Sequence, residues 1–548
     1  MRSVWNVGVC ALVLWLGCLH AYGDTHTVSL DDSIQAAIDA ATGGDEIVVE
    51  PGVYNETINL GGKAITLRSS GGPEVTTIRT DGPGPIVACT SGEGPDTVLE
   101  GLTITGAWMW SSSGSGPGPA GGMYNESSSP TVTNCIFSDN FGMQGGGMCN
   151  ISASPTVTRC TFVANQGLSL GAGMTNRDSS PTVTDCAFVE NVGGCAVGMY
   201  SSDSIFTGCR FTDNSGDMAG AIHARSSSLT TIECTFTGNS GYAGIHSNSG
   251  SLAVTDSTFT GHSGTAAIHV GGSSPTISNC TFTGNSAYGI DAGGSSPTIT
   301  KCTFSGNGCG LLNVNGDMQL SNCLFIGNID RAIINAWSSL TITQSTFAGN
   351  TGDAGIYNYE SGMAAVNCIL WDESSPIVNT NGSSATVGYS NVRGGWDGEG
   401  NIDSDPLFVD PMTGDYRLLP GSPCIDTGDN AVVSESTDLD GNPRIVNNIV
   451  DMGAYEAPLS DPATLLDNLT EIVVELNLQQ GIENGLDAKI DTALNALEDL
   501  NENNDVAAVN SLEAFINAVE AQRGKKISEE DADALIAQAQ AIIDLIQE

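Results

Sequence analysis

Positive charge is scarce in this chain: 17 Lys and Arg stand against 62 Asp and Glu among 548 residues, a formal net charge of -45 at pH 7. Such a surface repels nucleic acid and polyanionic polymers, so no nucleic-acid partner is expected. Solubility and colloidal stability are the simplest purpose of the excess acid. Long apolar runs are missing too. Past the N-terminus no stretch reaches the ~20 apolar residues of a membrane span, which argues against membrane insertion.

The first residues do carry a short apolar run. Arg2, an apolar core from Val7 to Leu19 and Ala21-Tyr22-Gly23 before Asp24 make residues 1–23 a secretory signal peptide. The mature protein is therefore expected outside the cell, secreted or associated with a cell surface. Trp15-Leu16-Gly17-Cys18 is a poor lipoprotein box, because Trp and Leu occupy places that favour small or branched residues.

What the chain has in abundance is repetition. A unit of 21 to 26 residues reading S-P-T-V-T-x-C-T-F-x-x-N, a loop, and then G-G-M-Y-N or G-A-I-H recurs about eleven times between Ser128 and Ser383, which predicts a solenoid. Cysteine falls at one position from Cys135 to Cys368, with Ser257 and Ser345 taking two turns. Phe follows two residues later, from Phe137 to Phe347, and Asn, or once His262, three residues beyond that. Each unit holds three short period-2 runs separated by turn residues, too short and too rich in Thr, Val and Phe for helices. The runs must pair coil to coil, in parallel, at about 4.8 Å. The fold class that follows is an all-β solenoid, a right-handed parallel β-helix with three strands per coil. Cys and Phe point inward as ladders; Asn is expected at a left-handed corner, pairing with the Asn of the next coil. The unbroken cysteine runs number five, three and one, so disulfide pairing would always leave an orphan. In-register stacking would also hold Cβ atoms about 4.8 Å apart against the ~3.8 Å of a disulfide. The ladder cysteines read as small buried hydrophobes.

Residues 24–127 are expected to hold a capping helix, with Leu30, Ile34 and Ile38 at helical spacing and Asp32 or Ser33 as cap, and the first coils. The segments G-D-E-I-V-V-E-P-G-V-Y-N-E-T-I and G-K-A-I-T-L resemble the opening coils of secreted pectin-lyase-like proteins, and the F-x-x-N and G-G-A-I-like pairs resemble the repeats of polymorphic outer-membrane adhesins. Regular repeats fill 128–400. In 401–457 they decay into N-I-D-S-D-P-L-F-V-D-P, S-P-C-I-D-T-G-D, D-L-D-G-N-P-R and D-M-G-A-Y-E, which resemble the C-terminal cap of the choice-of-anchor Q family of secreted bacterial surface proteins. Residues 459–548 change to Leu, Ala, Glu, Asp and Asn without cysteine. Four helices are predicted there, at about 462–476, 486–500, 506–522 and 529–547, with Asp461 and the Ser528/Asp531 pair as start signals. The run F-I-N-A-V-E-A-Q-R-G-K-K-I-S resembles the FIMAH module, which implies an attachment or interaction role. With 19 acidic and 4 basic residues the module is ill-suited to an anionic membrane.

The polygalacturonase-like and pectate-lyase-like enzymes that the resemblance brings to mind need clustered carboxylates, or Ca²⁺ with a basic residue. No N-T-D, D-D, G-H-G, R-I-K series is present, and the seven Lys and Arg from Arg159 to Arg393 are scattered. One column stands out. The residue after the apolar Met or Ile of the third run is expected to face outward, and down the coils it reads Tyr124, Cys149, Thr175, Tyr200, His223, His246, His269, Asp291, Leu312, Ile334 and Tyr357, beside a bare outward strip of Gly122, Gly147, Gly173, Gly198, Ala221, Gly244, Ala267 and Gly289. The plain reading is a surface ladder made by copying repeats. The functional one is a ligand-binding groove for a glycan or cell-surface component, built from Tyr200, His223, His246, His269, Asp291 and Tyr357. A rival makes His223, His246, His269 and Asp291 catalytic in a carbohydrate-active hydrolase or lyase, which requires a carboxylate pair, with Asp203, Asp213 and Asp217 the loop acids to watch. No cofactor is required. Calcium stays an open alternative at Asp438 and Asp440, where an Asp-rich turn lacks the later ligands of an EF-hand. The leading expectation is a non-catalytic binding or adhesion protein; oligomeric state is not legible.

Overall fold

The computed structural model describes residues 23–80, 82–108, 120–458, 462–476, 478–498 and 504–547. Residues 1–22 of the expected signal peptide and the expected Asp461 start signal thus lie outside the described residues.

Three parallel sheets of sixteen, fifteen and sixteen strands run the length of residues 25–392, each strand pairing with its counterpart one coil away. This is the right-handed parallel β-solenoid that the repeat predicts. We call the sheets first, second and third in the order in which a coil passes through them. Their inner faces fill with stacked side chains: Val132, Val157 and Val183 from the first, Phe137, Phe162 and Phe188 from the second, Met123, Met148 and Met174 from the third. The ten Phe rings from Phe137 to Phe347 stack at 4.6–4.9 Å with interplanar angles of 2–7°. Ring spacing is simply strand spacing, because in-register parallel pairing leaves each ring directly above the last.

Corners are where the backbone needs help. Buried amides must find partners, and Asn supplies them: Asn165 Nδ2 donates to Phe137 O at 2.8 Å and to Asn191 Oδ1 at 3.1 Å, while the same Oδ1 accepts the Asn165 backbone N–H at 3.1 Å. The motif repeats through Asn350, which donates to Asp372 Oδ1 at 2.9 Å. His262 takes one turn, its Nδ1 facing Asn239 O at 3.1 Å. The left-handed residue is not the Asn, however, but the one before it: Asp139, Ala164, Glu190 and Asp213 have φ of 52–53°. That assignment frees the Asn side chain to point inward. Cysteine solves a second corner. Cys160 Sγ accepts the Cys135 N–H at 3.4 Å, and Ser257 Oγ accepts that of Cys234 at 3.1 Å, so Ser replaces Cys because both are acceptors of the same size class. All fourteen described cysteines are free and buried. A further internal ladder escaped the sequence reading: Asn313, Asn335, Asn358 and Asn379 of the third sheet join amide to amide at 2.8 Å.

Helix α1 (Ile34–Ala40) is capped by Ser33, whose side chain accepts from the Ala36 N–H, and buries Ile34 and Ile38 on the first coils. Leu30 lies outside the helix and is exposed. At the other end α2 (Pro462–Glu475), α3 (Gln480–Glu498), α4 (Asn504–Gln522) and α5 (Glu529–Gln547) share one core around Leu466, Leu469, Leu512 and Phe515. Ser528 caps α5, accepting from the Asp531 N–H at 3.0 Å. No described helix is long and apolar enough to cross a membrane.

Two outcomes test the ladders. Phe236→Ala opens a gap inside the ring stack and should cost roughly 3–5 kcal/mol in chemical denaturation. Asp372 ends the Asn ladder, and burial pushes its carboxyl up to about 6. The folded chain therefore holds a proton that the unfolded chain releases, and this stabilisation, complete below the ordinary 3.8, is lost as pH rises through about 6. Asp372→Asn should gain roughly 1–3 kcal/mol at neutral pH and flatten that part of the pH dependence. An unchanged pH profile would mean that the carboxyl is not sequestered.

Candidate functional site

Outward positions of the third sheet form two columns in the central coils. Strand pairing puts Gly198, His223, His246, His269 and Asp291 in one register, continuing to Leu312, Ile334 and Tyr357. Tyr200 is not in it. Register shifts in the long strand Gln166–Arg177 pair Thr175 with Gly198, so Tyr200 pairs with Arg177 on one side and Arg225 on the other, in the second column, which runs on to Asn248, Gly271 and Gly293. The expectation of a single row from Tyr124 to Tyr357 is thus corrected by two residues at one coil. The bare strip is corrected more fully: it faces inward. A Cβ on Gly147 would meet Phe162 at 2.8 Å and one on Gly289 would meet Phe304 at 2.9 Å, while Ala221 and Ala267 are buried. Small residues are required there because the chain turns in over the Phe rings, and the Gly198 assigned to that strip belongs to the histidine register instead.

The histidine row is more enclosed than an outward column suggests. His246 is 3% exposed. Tyr242, from the corner segment preceding its strand, lies over the row with its ring 5.6 Å from His246 and 5.0 Å from His269. Sequence reasoning passed over Tyr242 because it lies outside the repeating columns. His223 and His246 stack at 5.1 Å, and Tyr200 meets His223 edge-on at 5.9 Å. Asn248 Nδ2 donates to His246 Nε2 at 2.9 Å, which leaves that ring's proton on Nδ1. Burial, then the neighbouring imidazoles, pushes the His246 pKa down to about 4, and burial with the Arg225 charge lowers that of His223. Both are neutral rings at neutral pH.

His269 and Asp291 form a pair, Nδ1 to Oδ2 at 2.9 Å. The tautomer in which Asp291 accepts the Nδ1 proton leaves Nε2 as an acceptor facing outward, past Gly271 and Gly293, which carry no side chain to cover it. Beside this acceptor stand the donors Asn248 and Arg225 and the half-buried Tyr200. The face can stack one ring and hydrogen-bond several hydroxyls. Among the described residues no hydroxyl or thiol is hydrogen-bonded to the three imidazoles. Asp203 is a first-sheet residue bonded to the Ser228 N–H, and Asp213 and Asp217 are exposed at the corner. Tyr357 lies three coils beyond Asp291, with the Arg331 guanidinium 4.8 Å over its ring.

Among the described residues no three His, Cys, Asp or Glu converge as a ligand set. Asp438 spends its carboxylate on the backbone N–H groups of Asn442 at 2.7 Å and Glu456 at 3.0 Å, as turn formation requires. Asp440 keeps its carboxyl raised by burial and by Asp438.

Fold and repeat define a right-handed parallel β-helix protein with a helical C-terminal module. The "Right handed beta helix region" family matches in overlapping windows, 41–216, 123–274, 195–347 and 243–392, and the chain belongs to that family. Residues 466–544 match the FIMAH domain. No curated protein matches the chain. Among solved structures it is similar to the receptor binding domain of the Siphovirus 9NA tailspike, at 12% identity and TM-score 0.30 over 72% of this chain and 82% of that one. It is similar also to tailspike protein 3 of bacteriophage CBA120, at 13% identity and TM-score 0.38 over 64% and 55%, and to a PL6 family alginate lyase, AlyGC, at 12% identity and TM-score 0.32 over 68% and 53%. The chain spans little more than half the length of the last two.

The enclosure of the row is open to direct measurement. In an NMR titration His246 should stay neutral down to about pH 4, well below a free imidazole. Titration at the ordinary histidine value would mean that water reaches the ring and that Tyr242 does not cover it.

Proposed function

We propose that this is a non-catalytic glycan-binding β-helix that works outside the cell and reads a neutral or weakly charged glycan along the outward face of the third sheet. The observation that carries the reading is the His269–Asp291 pair, which turns an outward acceptor toward the glycine-bared strip beside Asn248, Arg225 and Tyr200. A ring to stack on, flanked by fixed donors and acceptors, is what sugar recognition asks of a surface. Arg177 and Arg225 on either side of Tyr200 allow an isolated anionic substituent, whereas the net charge of -45 opposes a uronate polymer. Attachment is assigned to the C-terminal parts: the cap resembling the choice-of-anchor Q family and the FIMAH-matching helices.

The rival is hydrolysis or lysis on the same face. A glycan array and a reducing-end release assay on the mature chain separate the two. Binding without release is expected, weakened at least about tenfold by Tyr200→Ala or Arg225→Ala, as loss of one good contact implies. Release of sugar ends that disappears in His269→Ala and Asp291→Asn would replace the binding reading with an enzymatic one.

A further inference from the structure

Where each coil passes from the third sheet back to the first, one residue takes the left-handed conformation. In ten of the twelve coils from Ser127 to Asn381 that residue is Ser, Asp, Asn or Gly. The two exceptions are neighbours, Trp337 at φ 52° and Glu360 at φ 47°. Large side chains stand at positive φ at other corners of this chain, as at Arg159, Glu190 and Lys301, but at this corner only these two do. Packing does not explain it here, since Trp337 is 54% exposed.

The indole is nonetheless held in place. Its Nε1 donates to Glu360 Oε2 at 3.1 Å, and Tyr359 meets it edge-on at 5.2 Å. Beside it runs an open groove of about 760 Å³, into which Asp317 and the residues Ser338, Ser361 and Ser384 also face. No Lys or Arg lines it.

We propose that this corner is a second carbohydrate subsite, separate from the histidine face and independent of it, which takes a hexose unit of an uncharged glycan chain. The apolar face of a pyranose stacks on the oriented indole, and its hydroxyls donate to Glu360 and Asp317, whose ionised oxygens are strong acceptors. A uronate would bring a third carboxylate to the two already there with no cation to receive it, so acidic sugars are rejected. A Trp side chain on this left-handed residue is the cost of presenting a flat ring at a turn that carries Ser, Asp, Asn or Gly in ten of twelve coils.

The test uses the full chain carrying ¹⁵N-indole Trp, titrated at millimolar concentration with cellohexaose, mannohexaose and maltohexaose, and with hexagalacturonate and calcium chloride as controls. The Trp337 signal is assigned by its loss in Trp337→Gly. At least one neutral oligosaccharide should shift it saturably, with affinity measured by calorimetry falling at least tenfold in Trp337→Gly and in Glu360→Ala. Trp337→Gly, which suits φ 52°, should melt no lower than the parent. Silence from all three neutral sugars, an equal response to hexagalacturonate or calcium, intact affinity in Trp337→Gly, or a lower melting temperature in that variant would each overturn the proposal.

Discussion

Parallel pairing at a fixed strand spacing governs everything else in this molecule. Once one coil lies in register on the next, each side chain meets its own kind about 4.8 Å away, and only residues that tolerate their own stacking can occupy the interior. Phe does so as a ring stack and Asn as an amide chain whose donors and acceptors are both used. Cys does so as an acceptor for the neighbouring N–H. The same burial that makes the thiols structural also makes them inert. Cys149, Cys195 and Cys424 have their pKa pushed up to about 12, and the thiolate is the reactive form, so a thiol-rich chain can persist in an oxidising compartment without cross-linking.

A charged residue cannot extend such a ladder without cost. Asp372 occupies the place of an eleventh member; it accepts from Asn350 and has nothing to donate to the Phe347 carbonyl of the preceding coil. The amide chain stops there, one coil before the last second-sheet strand, Asn391–Val392. His262 is the milder exception, because a neutral imidazole still faces the Asn239 carbonyl.

Legibility in the sequence followed this division between inside and outside. The Cys, Phe and Asn columns were readable because the interior repeats them, and with them came the fold, the hand and the strand count per coil. The outward face was readable only as far as motif spacing tracks register. At G-M-T and G-M-Y it does not: shifts within Gln166–Arg177 pair Met174 with Val197 rather than Met199, which moves Tyr200 to the neighbouring column. The small-residue strip was placed on the wrong side because period-2 alternation was carried back past the strand's turn inward, where Gly244 and Ile245 both face the core. Tyr242 and Trp337 lie off every column. Only the contrast of Trp337 and Glu360 with the Ser, Asp, Asn or Gly of the other coils at that corner could have marked it, and the left-handed requirement behind the contrast is a backbone property.

Charge decides what such a rod can hold. At physiological salt a surface charge is felt over about 8 Å, so the net -45 acts on a ligand only through the acids it approaches. Along the third sheet those are few: Arg177 and Arg225 flank Tyr200, and Asp291 is already bonded to His269. At the Trp337 corner the nearest charges are Glu360 and Asp317, both exposed and both negative. The two surfaces thus differ in sign although they share one scaffold. A polymer with regularly spaced carboxylates would find one cationic strip and then repulsion further along the rod. A neutral polymer meets no such barrier at either place, and its hydroxyls can donate to the carboxylates and to His269 or accept from the guanidinium groups. On the proposed reading, the acidity of the Trp337 corner therefore narrows the glycans that could be held along the solenoid.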